Sequence, residues 1–263
     1  MAAELHTPTL AAEPLFQIAG YPITNAIIGT WLAMAVLLVL LYVAARRPVL
    51  VPGTAQNVLE LAIDGLRDVV NSVMEDDKLT RRYLPLILTI FLFVLTVNWI
   101  GLLPGFGTIG IQEHGELVPF LRAGSSDLNL TFAMAGVAFL VAQFSGIVLV
   151  GLFTYLNKFS NVKQLFKRPY HWKNFALFVP MFLLGVIELI SEVAKFIALS
   201  FRLFGNIYAG EVLLVVFGTL LPVFIPLSGP FYLLEVFVGL IQAFVFAMLT
   251  IVFIKIASLS TEH

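Results

Sequence analysis

Apolar residues along this chain fall in long unbroken runs, with neither the alternation of a surface strand nor the one-sided stripe of a soluble helix. Runs over 24–45, 83–103 and 128–156 each supply the ~20 residues a helix needs to cross a bilayer. The run from Phe175 to about Leu221 is longer. At 1.5 Å per residue it extends roughly 70 Å, about twice the hydrocarbon thickness. It therefore either breaks into two segments or lies steeply tilted. A link carrying Pro222, Pro226 and Pro230 leads into a last apolar run over 229–257. One stretch behaves differently. In QNVLELAIDGLRDVVNSVMEDDKLTRRY (56–83), Val58, Leu59, Ala62, Leu66, Val69, Val70 and Val73 recur at helical spacing, with Glu60, Asp64, Arg67 and Asp68 elsewhere. That pattern predicts an amphipathic helix over 56–82, lying at the membrane interface, against a partner, or simply connecting two spans.

The pattern implies an all-α polytopic membrane protein, a single membrane domain over 1–263 with about five embedded helices. Composition agrees: 60% of the 263 residues are hydrophobic and 12% are charged, against about 25% charged in soluble domains. A net charge of −1 gives no field for nucleic acid. Cysteine is absent, which excludes disulfides and thiolate metal sites, and His6, His114, His171 and His263 lie in termini or loops, so no metal site or cofactor is expected. The first 22 residues carry Glu4, Pro8, Glu13, Pro14 and Pro22 without a basic start, so no cleavable signal peptide is expected.

Loop charges predict the orientation. Lys158, Lys163, Lys167, Arg168 and Lys173 occur between 157 and 174 without an acid, which places that loop in the cytoplasm, and Arg46 and Arg47 after the first span agree. The loop 104–127 has Arg122 against Glu113, Glu116 and Asp127, and reads as outside. Five passages then put the N-terminus outside and the C-terminus inside.

Within 175–221 sits the most costly residue of the chain. Arg202 lies at membrane depth, where an arginine costs roughly 2.5–3.5 kcal/mol on insertion scales, and its guanidinium does not deprotonate. Polar residues gather around it. At 100° per residue, Ser191 falls at about −20° from Arg202, Lys195 at about +20°, and Glu188 and Asn206 at about +40°. Glu192 lies near about +80°, and Glu211 about 180° away, facing another environment. On the last run, Glu235 and Gln242 are seven residues apart on one face, with Gly239 between them to admit a neighbouring helix. Carboxylates at membrane depth must find water, a proton or a cation, which makes Glu211 and Glu235 candidates for ion movement.

Plainer readings exist for the lesser members. Lys195 can snorkel to the interface, or pair structurally with Glu188 seven residues away. Asn206 and Gln242 can act as hydrogen-bond glue between helices. The whole stripe admits three functions: an ion path, a secondary transporter using Glu188, Lys195, Arg202 and Glu211 as its site, or a scaffold with the stripe as glue. No internal repeat stands out, which argues against an inverted-repeat transporter. No GxxxxGK[ST] loop occurs, so the chain is not expected to catalyse ATP chemistry.

The run SFRLFGNIYAGE (200–211) strongly resembles subunit a of the rotary F-type ATP synthases, the stator half of their proton channel. Four other stretches agree in the same order: PGTAQNVLELAIDGLRD (52–68), FLFVLTVNWIGLLPG (91–105), SSDLNLTFAMA (125–135) and GLIQAFVFAMLTIVFI (239–254). The resemblance covers most of 50–257. It implies that 175–221 and 229–257 form a long tilted hairpin curving around a ring of c subunits. By position, Arg202 matches the family's stator arginine, Asn206 its neighbouring asparagine, Glu211 the acid of the outer half-channel, Gln242 the glutamine facing the arginine, and Glu188 an acid of the cytoplasmic side. Ser191, Glu192 and Lys195 are secondary candidates. Glu235 stands where some members have a histidine, which puts two carboxylates in one expected cavity. The resemblance further implies proton-driven ATP synthesis, c-subunit rotor carboxylates and peripheral-stalk b subunits as partners in an F1Fo complex, and residence in the bacterial inner membrane.

Overall fold

The computed structural model describes residues 11–46, 53–103, 106, 109–113, 116–155, 173–220 and 228–259. The lysine-rich segment used for orientation lies almost wholly outside these residues, as do Pro222, Pro226 and all four histidines. Helices dominate. In chain order they are α1 (Asn25–Ala45), α2 (Thr54–Met74), α3 (Asp77–Ile100), α4 (Leu128–Val150), α5 (Lys173–Leu220) and α6 (Ser228–Leu259). Among the described residues, Asn25–Ala45, Asp77–Ile100, Leu128–Val150 and Gly229–Ser258 are each long and apolar enough to cross a membrane. The chain is thus a predominantly helical, multi-pass membrane protein.

Helix ends follow side-chain chemistry more closely than the apolar runs do. α3 starts at Asp77, ahead of the run beginning at 83, because Asp76 caps it by accepting hydrogen bonds from the Lys78 and Leu79 amides at 2.7 and 3.3 Å. α4 stops at Val150 short of 156, where Gly151 adopts φ +90° and the chain turns into a short helical segment over 152–155. Asp127 caps its other end through the Asn129 amide at 3.0 Å. α5 runs unbroken for 48 residues with Pro180 inside it. Of the two options for 175–221, a break into two segments is therefore excluded. A single helix of about 70 Å exceeds any perpendicular span.

Two antiparallel hairpins, absent from the sequence reading, sit at one end of the bundle. Strands β1 (Pro14–Ile18) and β2 (Tyr21–Thr24) are joined at Ala19 and Gly20, both at positive φ, the geometry a two-residue hairpin loop requires. Strands β3 (Gly110–Glu113) and β4 (Glu116–Pro119) pair in the loop between α3 and α4. Buried Asn25 ties the two regions, donating to the Pro119 carbonyl at 3.2 Å and accepting from the Glu13 amide at 3.3 Å.

The core lies where α3 and α4 pack on α6, with α5 against α4 and α6. Ile87, Val94, Leu199, Leu203, Phe246, Ile251 and Ile254 are buried there, with Ala135, Ala138, Ala142, Ala243 and Ala247 between them. Small residues let membrane helices approach closely, and packing replaces the hydrophobic drive that lipid removes. Outward faces are apolar too: Leu38, Val39, Leu40 and Val43 of α1 are exposed, as suits contact with acyl chains. α2 is the exception. Its Leu66, Val70 and Met74 are buried against α3 and α6, with Leu59, Ala62, Val69 and Val73 half-buried beside them, while Val58 leaves the expected stripe and is exposed.

At Gly29, α1 packs closely on the interhelical loop: a Cβ there would lie 2.1 Å from the Arg122 carbonyl oxygen, a backbone atom that cannot swing aside. Gly29→Val should destabilise the bundle by about 1–3 kcal/mol by overpacking. The expected result is a several-fold lower amount of the chain in membranes by immunoblot; a wild-type level would show that this contact is not tight.

Candidate functional site

α5 and α6 run antiparallel, so polar residues far apart in sequence meet at three levels along the pair. The levels are the hairpin end, the middle, and the opposite end, where α2 lies.

At the middle, Arg202 points outward from α5. It is exposed, and among the described residues it makes no hydrogen bond or ion pair. One turn on, Asn206 donates its Nδ2 hydrogen to Gln242 Oε1 at 2.7 Å, which pins α5 to α6 beside the arginine. The Gln242 side chain is buried, and its Nε2 has no partner among the described residues. Asn206 and Gln242 therefore do serve as interhelical glue, at the position where they also flank Arg202. Ser191 and Arg202 are exposed on α5, with Glu188 and Lys195 half-buried. The stripe drawn from helical geometry is thus an open face of the chain.

Glu192, offset from that stripe, is buried. Its carboxylate takes a salt bridge from Lys195 Nζ at 3.0 Å and a hydrogen bond from Gln143 Nε2 at 3.3 Å, and Tyr155 donates to Gln143 Oε1. A structural ion pair between Glu188 and Lys195 was one expectation; Lys195 instead pairs with Glu192. At i,i+3 the two side chains meet directly, whereas seven residues leave two turns between them. Lys195 also lies over the Phe253 ring at 5.9 Å, so it is held within the bundle. Farther along, Lys255 of α6 donates to the Met74 carbonyl at 2.7 Å and so latches α2 to the same end.

At the hairpin end, Glu211 and Glu235 occupy different surroundings. Glu235 is buried and its carboxylate lies on Gly210, where a Cβ would come within 2.0 Å of Oε1. A side chain at 210 would push the Glu235 carboxylate from this position. Glu211 is half-buried and forms an ion pair with Arg122, Nε to Oε2 at 3.5 Å. Arg122 is itself buried, with Nε donating to Ser126 Oγ at 3.0 Å and Nη1 to the Ala11 carbonyl at 3.2 Å. The half-turn that separates Glu211 from Arg202 on the helical wheel is what turns Glu211 to this buried partner.

Asn98 is a functional candidate that sequence reading passed over. It is buried in α3, donates to the Gly239 carbonyl at 3.2 Å and accepts from Ser125 Oγ at 2.5 Å. Trp99 Nε1 donates to the Val236 carbonyl at 3.0 Å. Together they hold the part of α6 that carries Glu235. The signal was present: an asparagine inside an apolar run must find partners. Arg122 gave a comparable signal, as the lone basic residue of its loop. Among the described residues no cluster of side chains is suited to a metal ion.

Comparison with known proteins gives a consistent picture. A family model described as ATP synthase A chain matches residues 27–255. The ATP synthase subunit a of Campylobacter fetus is 35% identical over 232 residues, covering 88% of this chain and 89% of that protein. That of Moorella thermoacetica is 30% identical over 240 residues, covering 91% and 93%. That of Geobacter sulfurreducens is 35% identical over 239 residues, covering 91% and 89%.

Interhelical hydrogen bonds in membranes contribute about 1–2 kcal/mol each in model peptides, so Asn98→Val should weaken the packing of α6 on α3 by that order. The expected result is unfolding at a lower mole fraction of SDS in a detergent titration. An unshifted midpoint would show that the Ser125–Asn98–Gly239 connection is not structural.

Proposed function

The chain belongs to the ATP synthase A chain family, and on that basis we propose that it is the proton-channel stator subunit of a bacterial F-type ATP synthase. It lies in the inner membrane as part of an F1Fo complex and lines two offset half-channels to a ring of c subunits. The observation that carries this reading is Arg202: a permanent cation on an exposed face of an apolar helix, without a partner among the described residues of its own chain. Such a charge calls for an opposite charge brought by a neighbour, and a rotor carboxylate supplies it.

A rotor carboxylate travels through lipid only when neutral, since an unpaired charge there is prohibitive. It takes a proton at the half-channel bordered by Glu211 and Glu235, which in this orientation opens outside with the two hairpins and the N-terminus. After nearly a full turn it releases the proton at the opposite end, where Glu188 and Ser191 lie on the open face, Glu192 and Lys195 stand beside it, and the C-terminus is cytoplasmic. Arg202 separates the two paths by favouring the ionised carboxylate and blocking direct passage, with the Asn206–Gln242 bond holding α5 and α6 at that level. The drive is ~2.3 kcal/mol per charge per 100 mV, together with the pH difference. ATP chemistry belongs to other subunits, and peripheral-stalk b subunits keep this chain from turning with the ring.

The secondary-transporter reading is not supported. The family match spans nearly the whole chain, and Glu192 rather than the stripe neutralises Lys195, which removes one charge that reading needed.

Arg202→Ala should abolish ATP-driven proton pumping in inverted membrane vesicles while the complex still assembles. Arg202→Lys should also fail to couple, since an ammonium is compact, has a different reach and deprotonates when buried. Coupled pumping by the alanine variant would overturn the stator reading; full activity of the lysine variant would show that charge alone suffices.

A further inference from the structure

Two carboxylates at the hairpin end differ in one respect that position alone does not reveal. Glu211 faces a guanidinium, whereas Glu235 has no cation or hydrogen-bond donor among the described residues. The guanidinium belongs to Arg122, in the connection between α3 and α4, and 97% of its side chain is removed from the surface. Two of its nitrogens are held by Ser126 Oγ and the Ala11 carbonyl, so it is anchored to the start of α4 and to the N-terminal segment at once. Its Nη2, and Glu211 Oε2 opposite, are buried without a hydrogen bond among the described residues. An arginine fixed in this way is a built counter-charge.

We propose that Arg122 is a positioning residue of the outer half-channel: by compensating the Glu211 carboxylate it makes Glu211 a fixed charge and leaves Glu235 as the group that exchanges the proton. The inference rests on the channel reading of these two acids and divides their labour. Glu235 suits the moving role because its carboxylate lies on a bare glycine backbone, where neither a side chain nor a cation holds it. Glu211 suits the fixed role because its carboxylate is already paired with the anchored Arg122.

The pair predicts a pattern that a merely structural contact does not. In assembled complexes, Arg122→Gln should lower ATP-driven proton pumping at least about tenfold, because it leaves the half-buried Glu211 carboxylate uncompensated. Arg122→Lys should keep a measurable part of it. The double variant Arg122→Gln/Glu211→Gln, which removes both charges together, should pump better than either single variant, whereas Glu235→Gln should fail in every background. Pumping by Arg122→Gln at the wild-type rate, or a double variant no better than the singles, would overturn the proposal. If Arg122→Gln does not assemble, the double variant decides: assembly and pumping support the pair, and failure to assemble counts against charge balance as its role. Arg202→Ala is measured alongside. Pumping retained there overturns the channel reading itself, while its loss together with an unaffected Arg122→Gln overturns the division of labour alone.

Discussion

A guanidinium that never loses its proton, set on an apolar surface, constrains everything around it. Arg202 has no counter-charge among the described residues of its own chain, so its cost at membrane depth must be met by water, by a partner, or by both. Glu192 is turned inward to Lys195 and Gln143, and Glu211 is turned to Arg122. The acids nearest Arg202 in sequence are thereby engaged elsewhere.

An unbroken α5 makes this arrangement possible. A single 48-residue helix sets the three levels at a fixed spacing and fixes the rotation between them. α6 reads the same levels in reverse order, with Glu235 beside Gly210, Gln242 beside Asn206, and Lys255 at the α2 end. Contacts from outside the pair then hold the register. Asn98 and Trp99 grip the α6 backbone near Glu235, and Gln143 with Tyr155 braces α5 at the far end. Each brace is a hydrogen bond made where lipid offers no competing partner, so its geometry is well defined even though its net free energy is modest.

The hairpin end is assembled from the most distant parts of the chain. The N-terminal segment, the α3–α4 connection and both long helices converge there through Asn25, Arg122, Glu211 and Glu235. Two short antiparallel hairpins at this end pair their own backbone groups where the chain is not helical.

Much of this was legible from residue order, because lipid imposes local rules. The length of an apolar run sets a span, and 3.6 residues per turn set which side chains share a face. Those rules were enough to place the helices, the exposed stripe of Ser191 and Arg202, and the half-turn between Arg202 and Glu211. They did not reach contacts between segments. That Lys195 answers Glu192 rather than Glu188, that Glu211 meets Arg122, and that Glu235 rests on Gly210 depend on how helices are rotated and how far they slide past one another. Side-chain shape in three dimensions decides both, since small residues set how closely α4 and α6 approach and buried polar groups accept only the register that pairs them. Sequence by itself therefore determined which residues bear charge in the membrane and on which face of their helix; only the tertiary structure decided which of those charges are paired among the described residues, as Lys195 and Glu211 are, and which, like Arg202, are not.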